Sequence, residues 1–285
     1  NHFYLDIEIS HISTSETELA KKNLHHLTHI DIKQPVLAIF DRGYPSMEFI
    51  DFLETEKINY LFRISSNDYK FERTNMKSTD ETVILRHTYQ RLEKIRKKHP
   101  ERLERMKEKG YTNTRIMTSM LPSGNELTLM TNLPFEFSQK QLEDLYYQRW
   151  EIEKKYHTLK NKMKFESVTG KSTIYVGQDF RAQVLVYNIL QDIRKEADEE
   201  VSVRGRKKGS KYPMHTNENI AIGLFKEQMI KLILEKNAVR RGQLLFKLQT
   251  EMEEYILPQR NLPGKERKKN LSNKYKNNQK NKKKK

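Results

Sequence analysis

The sequence predicts an α/β fold, in which a mixed sheet with flanking helices is interrupted by a mainly β insertion. Three observations lead to this prediction. Two short apolar runs, residues 36–40 and 60–64, have the pattern of buried strands and enclose a helical stretch. A strand, a helix and a strand within about thirty residues form a βαβ unit. A β-rich stretch, residues 66–135, follows, and a capping pattern at Ser138 then starts a long helix.

The stretch before the first buried run is predicted to contain a strand and a helix. Residues 2–12 alternate in polarity and carry β-forming side chains, which is typical of one long strand or of a strand pair. Ser15 and Glu18 then have the spacing of a capping box, in which two side chains satisfy free N–H groups at a helix start. We therefore expect a helix that runs to Leu27.

An acidic residue, Asp41, comes directly after the first buried run and is followed by Arg42, Gly43 and Tyr44. In α/β sheets the carboxyl ends of the strands are the places where functional groups gather. Asp41 is therefore a candidate catalytic residue. The alternative is that its side chain only caps the turn.

The segment 66–135 changes in character. Strands are expected at residues 82–85, 111–121 and 126–131. The last two flank Pro122-Ser-Gly-Asn125, which is a typical hairpin turn. Residues 88–109 are highly charged and are expected to be helical or irregular. We interpret the whole segment as a mainly β insertion.

The helix that begins at Ser138 brings four unlike side chains together. At about 100° per residue, Tyr146, Arg149, Glu153 and Lys160 fall within about 60° of one another. A carboxylate between two cations, close to a phenol, suits a site that holds a metal and a phosphate. The alternative is a charged amphipathic helix, whose Arg149 and Glu153 form a pair worth a few tenths of a kcal/mol.

The composition limits the chemistry of any site. The chain has no cysteine, which excludes disulfides, thiolate metal sites and cysteine nucleophiles. A bound metal would need carboxylate, histidine or water ligands, which favours hard cations such as Mg²⁺ or Mn²⁺. No apolar run approaches the roughly 18 residues of a membrane span, so the sequence predicts a soluble protein.

The net charge of +16 indicates a polyanionic partner, but it is unevenly distributed. Residues 264–285 hold eleven Lys and Arg against one Glu, which leaves about +6 for the rest. This tail is predicted to be disordered and to attach to nucleic acid without reading its sequence. A specific function must therefore lie in the folded part.

Two acidic positions and their surroundings resemble a known family. Asp41-Arg-Gly-Tyr44 after a buried strand, a β insertion, and then Tyr146-x₂-Arg149-x₃-Glu153-x₆-Lys160 are similar to the catalytic half of the DDE transposases of the IS4 insertion-sequence family. Every spacing in the helix signature matches without a gap. The resemblance covers roughly residues 1–195.

The resemblance implies an RNase H-like fold and a phosphoryl transfer that uses two Mg²⁺ ions, with Mn²⁺ as a substitute. Asp41 and Glu153 would be the second and third acids of the catalytic triad and would ligate the metal. Tyr146, Arg149 and Lys160 would contact DNA phosphates at the transposon end. The implied reaction is cleavage of transposon ends followed by strand transfer into target DNA.

The resemblance and the composition together divide the chain into five segments. They are residues 1–65 (first part of the RNase H-like core), 66–135 (β-rich insertion), 136–200 (second part of the core with the catalytic helix), 201–263 (helical C-terminal region) and 264–285 (disordered basic tail). The implied partners are double-stranded DNA, as transposon ends and as target, and a second copy in a homodimeric synaptic complex. A bacterial cytoplasmic, nucleoid-associated protein without a membrane segment is expected.

One acid of the family pattern has no match. The first catalytic aspartate is expected on a strand before the region seen here, and the context of Asp6, the nearest candidate, does not fit. We therefore expect a fragment of a longer transposase or a decayed copy, inactive or nearly so by itself.

A DNA-binding remnant that does not cut is the alternative function. Another nuclease on the same fold, or a basic helical protein without nucleic-acid chemistry, are further alternatives.

Overall fold

The computed structural model describes residues 3–98, 100–163, 170 and 172–259. The chain divides into two compact units, Asn1–Ile189 and Leu190–Lys285. The five predicted segments remain a prediction, and the basic tail 264–285 lies outside the described residues. Among the described helices, none is both long enough and apolar enough to cross a membrane.

The first unit is built on a five-stranded mixed sheet. Its strands are β1 (Leu37–Phe40), β2 (Asn59–Arg63), β3 (Asp80–Arg86), β4 (Tyr111–Met120) and β5 (Glu126–Thr131). The spatial order is β1-β2-β5-β4-β3, in which β1 and β2 are parallel and the other neighbours are antiparallel. The predicted mixed α/β architecture is confirmed, and β4 and β5 form the predicted hairpin.

Helices cover both faces of this sheet. The helices are α1 (Glu16–Thr28), α2 (Met47–Thr55), α3 (Lys70–Thr74), α4 (Tyr89–Lys98), α5 (Pro100–Lys109), α6 (Gln139–Tyr147) and α7 (Trp150–His157). Because side chains alternate along a strand, Tyr60 and Phe62 face a core shared with α2, α4 and α5, whereas Leu61 faces a second core shared with α6. The side chains of Ser15 and Ser138 cap α1 and α6, and the predicted reciprocal capping box is formed by Ser138 with Gln141.

The segment 66–135 contains as many helices as strands, so its prediction as mainly β is corrected. The two charged helices α4 and α5 bury Leu92, Ile95, Leu103 and Met106 in the first core. Charged residues of α5 pair with α2, where Arg102 contacts Glu48 across 54 residues of sequence, and Arg91 of α4 pairs with Glu72 of α3. Amphipathic burial together with these ion pairs makes the stretch helical.

The predicted strand at residues 2–12 is not formed, because residues 3–12 contain neither helix nor strand. The backbone N–H of Tyr4 donates to Oδ1 of Asn188 over 2.9 Å, and the amide of Asn188 donates to the carbonyl of Tyr4 over 2.7 Å. A side-chain amide thus takes the hydrogen bonds that a neighbouring strand would offer.

The rest of the described chain is mainly helical. α8 (Thr173–Lys207) begins in the first unit and ends in the second. It is followed by β6 (Met214–Thr216), α9 (Glu218–Leu234), α10 (Ala238–Glu254) and β7 (Ile256–Pro258). Inside the second unit, the buried Arg194 donates to Thr216 and Glu218, which ties α8 to the start of α9.

Candidate active site

Asp41 lies at the edge of the sheet where the two parallel strands end. Phe40, the last residue of β1, is paired in register with Phe62, so one further step along each strand brings Asp41 beside Arg63. The N–H of Tyr44 donates to the carbonyl of Asp41 over 3.3 Å, which closes the turn after the strand. The Asp41 side chain is 46 % exposed, so its carboxylate can reach a ligand.

Tyr146 fixes the orientation of this carboxylate. Its ring is buried among Leu61, Leu129 and Leu142 where α6 packs on the sheet. Its hydroxyl donates to Oδ1 of Asp41 over 3.0 Å. Burial, and then the charge of Asp41, raise the pKa of Tyr146, so the phenol stays protonated and acts as a donor at neutral pH.

The predicted helix from Ser138 to Lys160 is interrupted between Tyr147 and Trp150. In this turn the N–H groups of Gln148 and Arg149 donate to carbonyls three residues back, over 3.1 and 3.0 Å. Such bonds form a tighter turn than those of an α-helix. Arg149 therefore lies at a junction between α6 and α7.

The Arg149 guanidinium lies between two carboxylates. Nη1 donates to Oε1 of Glu153 over 2.9 Å, and Nη2 lies 3.8 Å from Oδ2 of Asp41. The guanidinium also lies over the ring of Trp150, 4.8 Å from its centroid. Burial alone would lower the pKa of Arg149, but the hydrogen bond to Glu153 and the neighbouring oxygens raise it.

Glu153 approaches the same position from α7. It follows Arg149 by four residues, and its side chain is 49 % exposed. Since both acids contact one guanidinium, residues that are 112 positions apart in sequence meet across a single side chain. The structure thus brings together four of the five predicted site residues, namely Asp41, Tyr146, Arg149 and Glu153.

Lys160 lies beyond the regular α-helix that its prediction assumed. It lies in a π-helical turn, Thr158–Lys162, and its side chain is exposed. A π-turn advances each residue by a smaller angle than an α-helix does. The prediction that Lys160 and Glu153 share one side of the helix assumed about 100° per residue throughout. That angle does not apply within this turn.

The charges around Asp41 favour its ionised form. Burial would raise the pKa of Asp41, but it is outweighed by hydrogen bonds from the backbone N–H of Arg42 and the hydroxyl of Tyr146. The positive charges of Arg149 and Arg63 lower the pKa further, so the net shift is downward. Asp41 is therefore a carboxylate at neutral pH, as a metal ligand must be.

The comparison with protein families identifies the family of the chain. A family model described as Transposase DDE domain matches residues 1–189, a range that holds the whole sheet, both acids and Lys160. The chain belongs to the DDE transposase family. The comparison with curated proteins found no match.

Transposases of this family are enzymes that act on DNA, and they usually use divalent metal ions. The donor set of the site fits one such ion. Asp41 and Glu153 provide hard carboxylate oxygens on two sides of a position that already attracts a cation, the Arg149 guanidinium. Mg²⁺ is commonly held by one or two carboxylates together with water and substrate phosphates. Asp41 and Glu153 could therefore hold a Mg²⁺ ion in this transposase.

Asp6 belongs to another group of side chains. Ligand atoms of Asp6, Glu8 and His26 all lie within 4.8 Å of one another. His26 Nδ1 lies 2.8 Å from Oδ2 of Asp6, and its side chain is half exposed. Asp6 thus forms a local hydrogen bond with His26 and stays unassigned as the first acid.

Sequence reasoning missed Arg63. It was assigned only to the second buried run, residues 60–64, although its positive charge lowers the pKa of Asp41. Arg63 could have been identified from its position near the carboxyl end of a buried run, which is the feature that identified Asp41. The carboxyl ends of adjacent parallel strands meet at one edge of the sheet.

Proposed function

We propose that the chain is the catalytic region of an IS4-family transposase, which cuts DNA at transposon ends and joins those ends to target DNA. The observation that carries this proposal is the convergence of Asp41 and Glu153 on one cationic position at the carboxyl edge of β1 and β2. The spacing Tyr146-x₂-Arg149-x₃-Glu153-x₆-Lys160 supports the assignment to IS4 among DDE transposases.

An RNase H-like core is part of the same proposal. Two parallel strands joined through α2, with one acid at the end of β1 and another on a helix that reaches the same edge, support it. The segment 66–135 then extends this sheet, since β5 pairs directly with β2.

Each site residue receives a role. Asp41 and Glu153 hold the metal, and Tyr146 keeps Asp41 oriented through its hydrogen bond. Mg²⁺, or Mn²⁺ as a substitute, supplies Lewis-acid activation of the scissile phosphodiester when bound. Arg149 and Lys160 contribute positive charge for phosphates of the transposon end, where charge-assisted contacts set the position of the backbone.

The family scheme includes a second ion, and that ion requires a further carboxylate besides Asp41 and Glu153. Among the described residues, Asp6 pairs with His26 instead. This observation favours a second candidate function, a DNA-binding remnant that occupies transposon ends without cutting them. In both cases the partner is double-stranded DNA, and synapsis of two ends would involve a second copy of the chain in the bacterial nucleoid.

The two candidates differ in the products that they form. The protein expressed from the element's complete reading frame is incubated with DNA that carries the ends of its own element, with Mg²⁺ or Mn²⁺, and nicked strands and bound complexes are measured together. A transposase nicks the ends, and Glu153→Gln abolishes nicking while complexes persist. Glu151→Gln is the matched control, because Glu151 is on the same helix and pairs with Lys154 on its exposed surface. Binding without nicking by the wild type supports the remnant.

A further inference from the structure

The Arg149 guanidinium lies where a metal ion would have to bind. Nη1 donates to Oε1 of Glu153 over 2.9 Å, and Nη2 lies 3.8 Å from Oδ2 of Asp41. Only 11 % of the Arg149 side chain is exposed, so the guanidinium is largely shielded from water while it contacts both acids. One positive charge of the chain itself thus stands between two carboxylates.

A divalent ion and this guanidinium cannot share the position. Mg²⁺ binds carboxylate oxygens at about 2.0–2.1 Å, which is closer than any N–H donor approaches. Both groups are cations, and at such short separation they repel each other strongly. The side chain of Arg149 must therefore leave Asp41 and Glu153 before both acids can ligate a metal.

The guanidinium contacts Tyr146 and Trp150 as well as Glu153, but the two acids do not use all of its donors. Its Nη2 is too far from Asp41 for a hydrogen bond, because 3.8 Å exceeds the usual range of N–H donors. Its Nε is buried and finds no hydrogen-bond partner in the described part of the chain. An arginine with unused donors matches a phosphate, whose oxygens can accept two parallel N–H bonds from one guanidinium.

We propose that Arg149 serves as an internal substitute cation, which holds Asp41 and Glu153 together until a DNA phosphate draws it away and opens the position for a divalent ion. The inference rests on the proposed function of the site. It makes DNA and metal binding cooperative, and by linkage each must strengthen the other by the same factor. The chain alone then binds metal weakly, and correctly bound DNA loads the site.

The test measures Mn²⁺ affinity rather than activity. Mn²⁺ binding to the chain is followed by electron paramagnetic resonance, with and without a duplex carrying the element's end, after subtraction of ions bound by the duplex alone. We expect the duplex to tighten Mn²⁺ binding about tenfold, which is a typical coupling between two sites. We expect Arg149→Gln to tighten it by a similar factor without DNA and to remove most of the coupling.

Two further variants separate displacement from a general charge effect. Arg63→Gln also removes a positive charge that acts on Asp41, but Arg63 does not lie between the acids, so the coupling should remain. Arg149→Lys retains a cation and should keep metal binding weak without DNA. Each variant's thermal unfolding is measured to confirm that it is folded.

The outcomes distinguish this inference from the proposed function. If Mn²⁺ binds but the duplex does not tighten its binding to the wild type, or Arg149→Gln binds it no better than the wild type, the inference is wrong and the metal site stands. If Arg149→Gln fails to fold, the comparison of Mn²⁺ binding to the wild type with and without the duplex still tests the inference. If neither the wild type nor any variant binds Mn²⁺ more strongly than Glu153→Gln does, with or without DNA, the proposed function fails as well.

Discussion

The Tyr146 hydroxyl donates a 3.0 Å hydrogen bond to Oδ1 of Asp41, which lies 105 residues earlier in the chain. The Tyr146 ring is buried against the sheet, whereas the Asp41 side chain is nearly half exposed. The position of the ring is therefore set by packing, and the phenol orients the carboxylate. This bond connects α6, on one face of the sheet, to the end of β1.

Tyr146→Phe tests this connection. The variant keeps the ring and loses the hydrogen bond, so we expect the free energy of unfolding to fall by about 1 kcal/mol. The pKa of Asp41 should rise toward its ordinary value, because the hydroxyl is one of the groups that lower it. Urea unfolding gives the first quantity, and an NMR titration of the Asp41 carboxyl gives the second. Tyr147→Phe is the control, since Tyr147 is the exposed neighbour. An unchanged Asp41 pKa in Tyr146→Phe would contradict the assigned role.

Asp41 also gives the fold a defined pH dependence. Its pKa in the folded chain is lowered from 3.8, so its ionised form stabilises the fold. That contribution is complete above the unfolded value of 3.8 and is lost as the pH falls through the lower folded value. The difference in unfolding free energy between the wild type and Asp41→Asn should thus be constant near neutral pH and change only in acid, in favour of the Asn variant. Urea unfolding across this range measures it.

Asp144→Asn is the matched control for that pH series, because Asp144 forms an exposed pair with Lys140 on the surface of α6. The free energy of unfolding of Asp144→Asn should differ little from that of the wild type at every pH. A wild-type advantage over Asp41→Asn that grows as the pH falls would show that the direction assigned to the pKa shift is wrong.

An ion pair between α2 and α5 should contribute measurably to stability. Asp51 is 3 % exposed and accepts a hydrogen bond from Arg105, whose own side chain is about half exposed. Arg105→Met leaves the buried carboxylate without this partner, so we expect a loss of about 2 kcal/mol, less than for a fully buried pair because water reaches the arginine side. Urea unfolding of Lys107→Met serves as the comparison. Lys107 pairs with Glu104 on the exposed side of the same helix, and its removal should cost under about 0.5 kcal/mol.

The sequence predicted those parts of the fold that depend on local patterns. The apolar runs of β1 and β2, the caps at Ser15 and Ser138, and the turn between β4 and β5 are signals contained within a few residues. The absence of a strand at residues 3–12 could not be predicted, because it depends on hydrogen bonds between Tyr4 and Asn188. For residues 88–109 the sequence left helical and irregular structure open, because the choice depends on burial in the first core and on ion pairs with α2 and α3.

The candidate site shows the same division. The spacing of Tyr146, Arg149 and Glu153 was sufficient to group them, since these residues lie within two helical turns. Periodicity could not reveal the break between Tyr147 and Trp150 or the π-turn at Thr158–Lys162, because both depend on how the chain packs. The bridging position of the Arg149 guanidinium was equally inaccessible, as it requires the end of β1 to be next to α7.

Lys160 provides a test of the DNA-binding role that does not depend on cleavage. Each phosphate neutralised by a cation contributes about 0.9 to the slope of log K against log salt. If Lys160 contacts a phosphate, Lys160→Ala should weaken binding to a duplex with the element's end and reduce this slope by about one. Fluorescence anisotropy at a series of salt concentrations measures both. Lys140→Ala removes an equal charge that is already paired with Asp144, so it should leave the slope unchanged. An equal slope for the wild type and Lys160→Ala would place Lys160 away from the DNA, and the π-turn would then have moved it off the surface that Arg149 and Glu153 share.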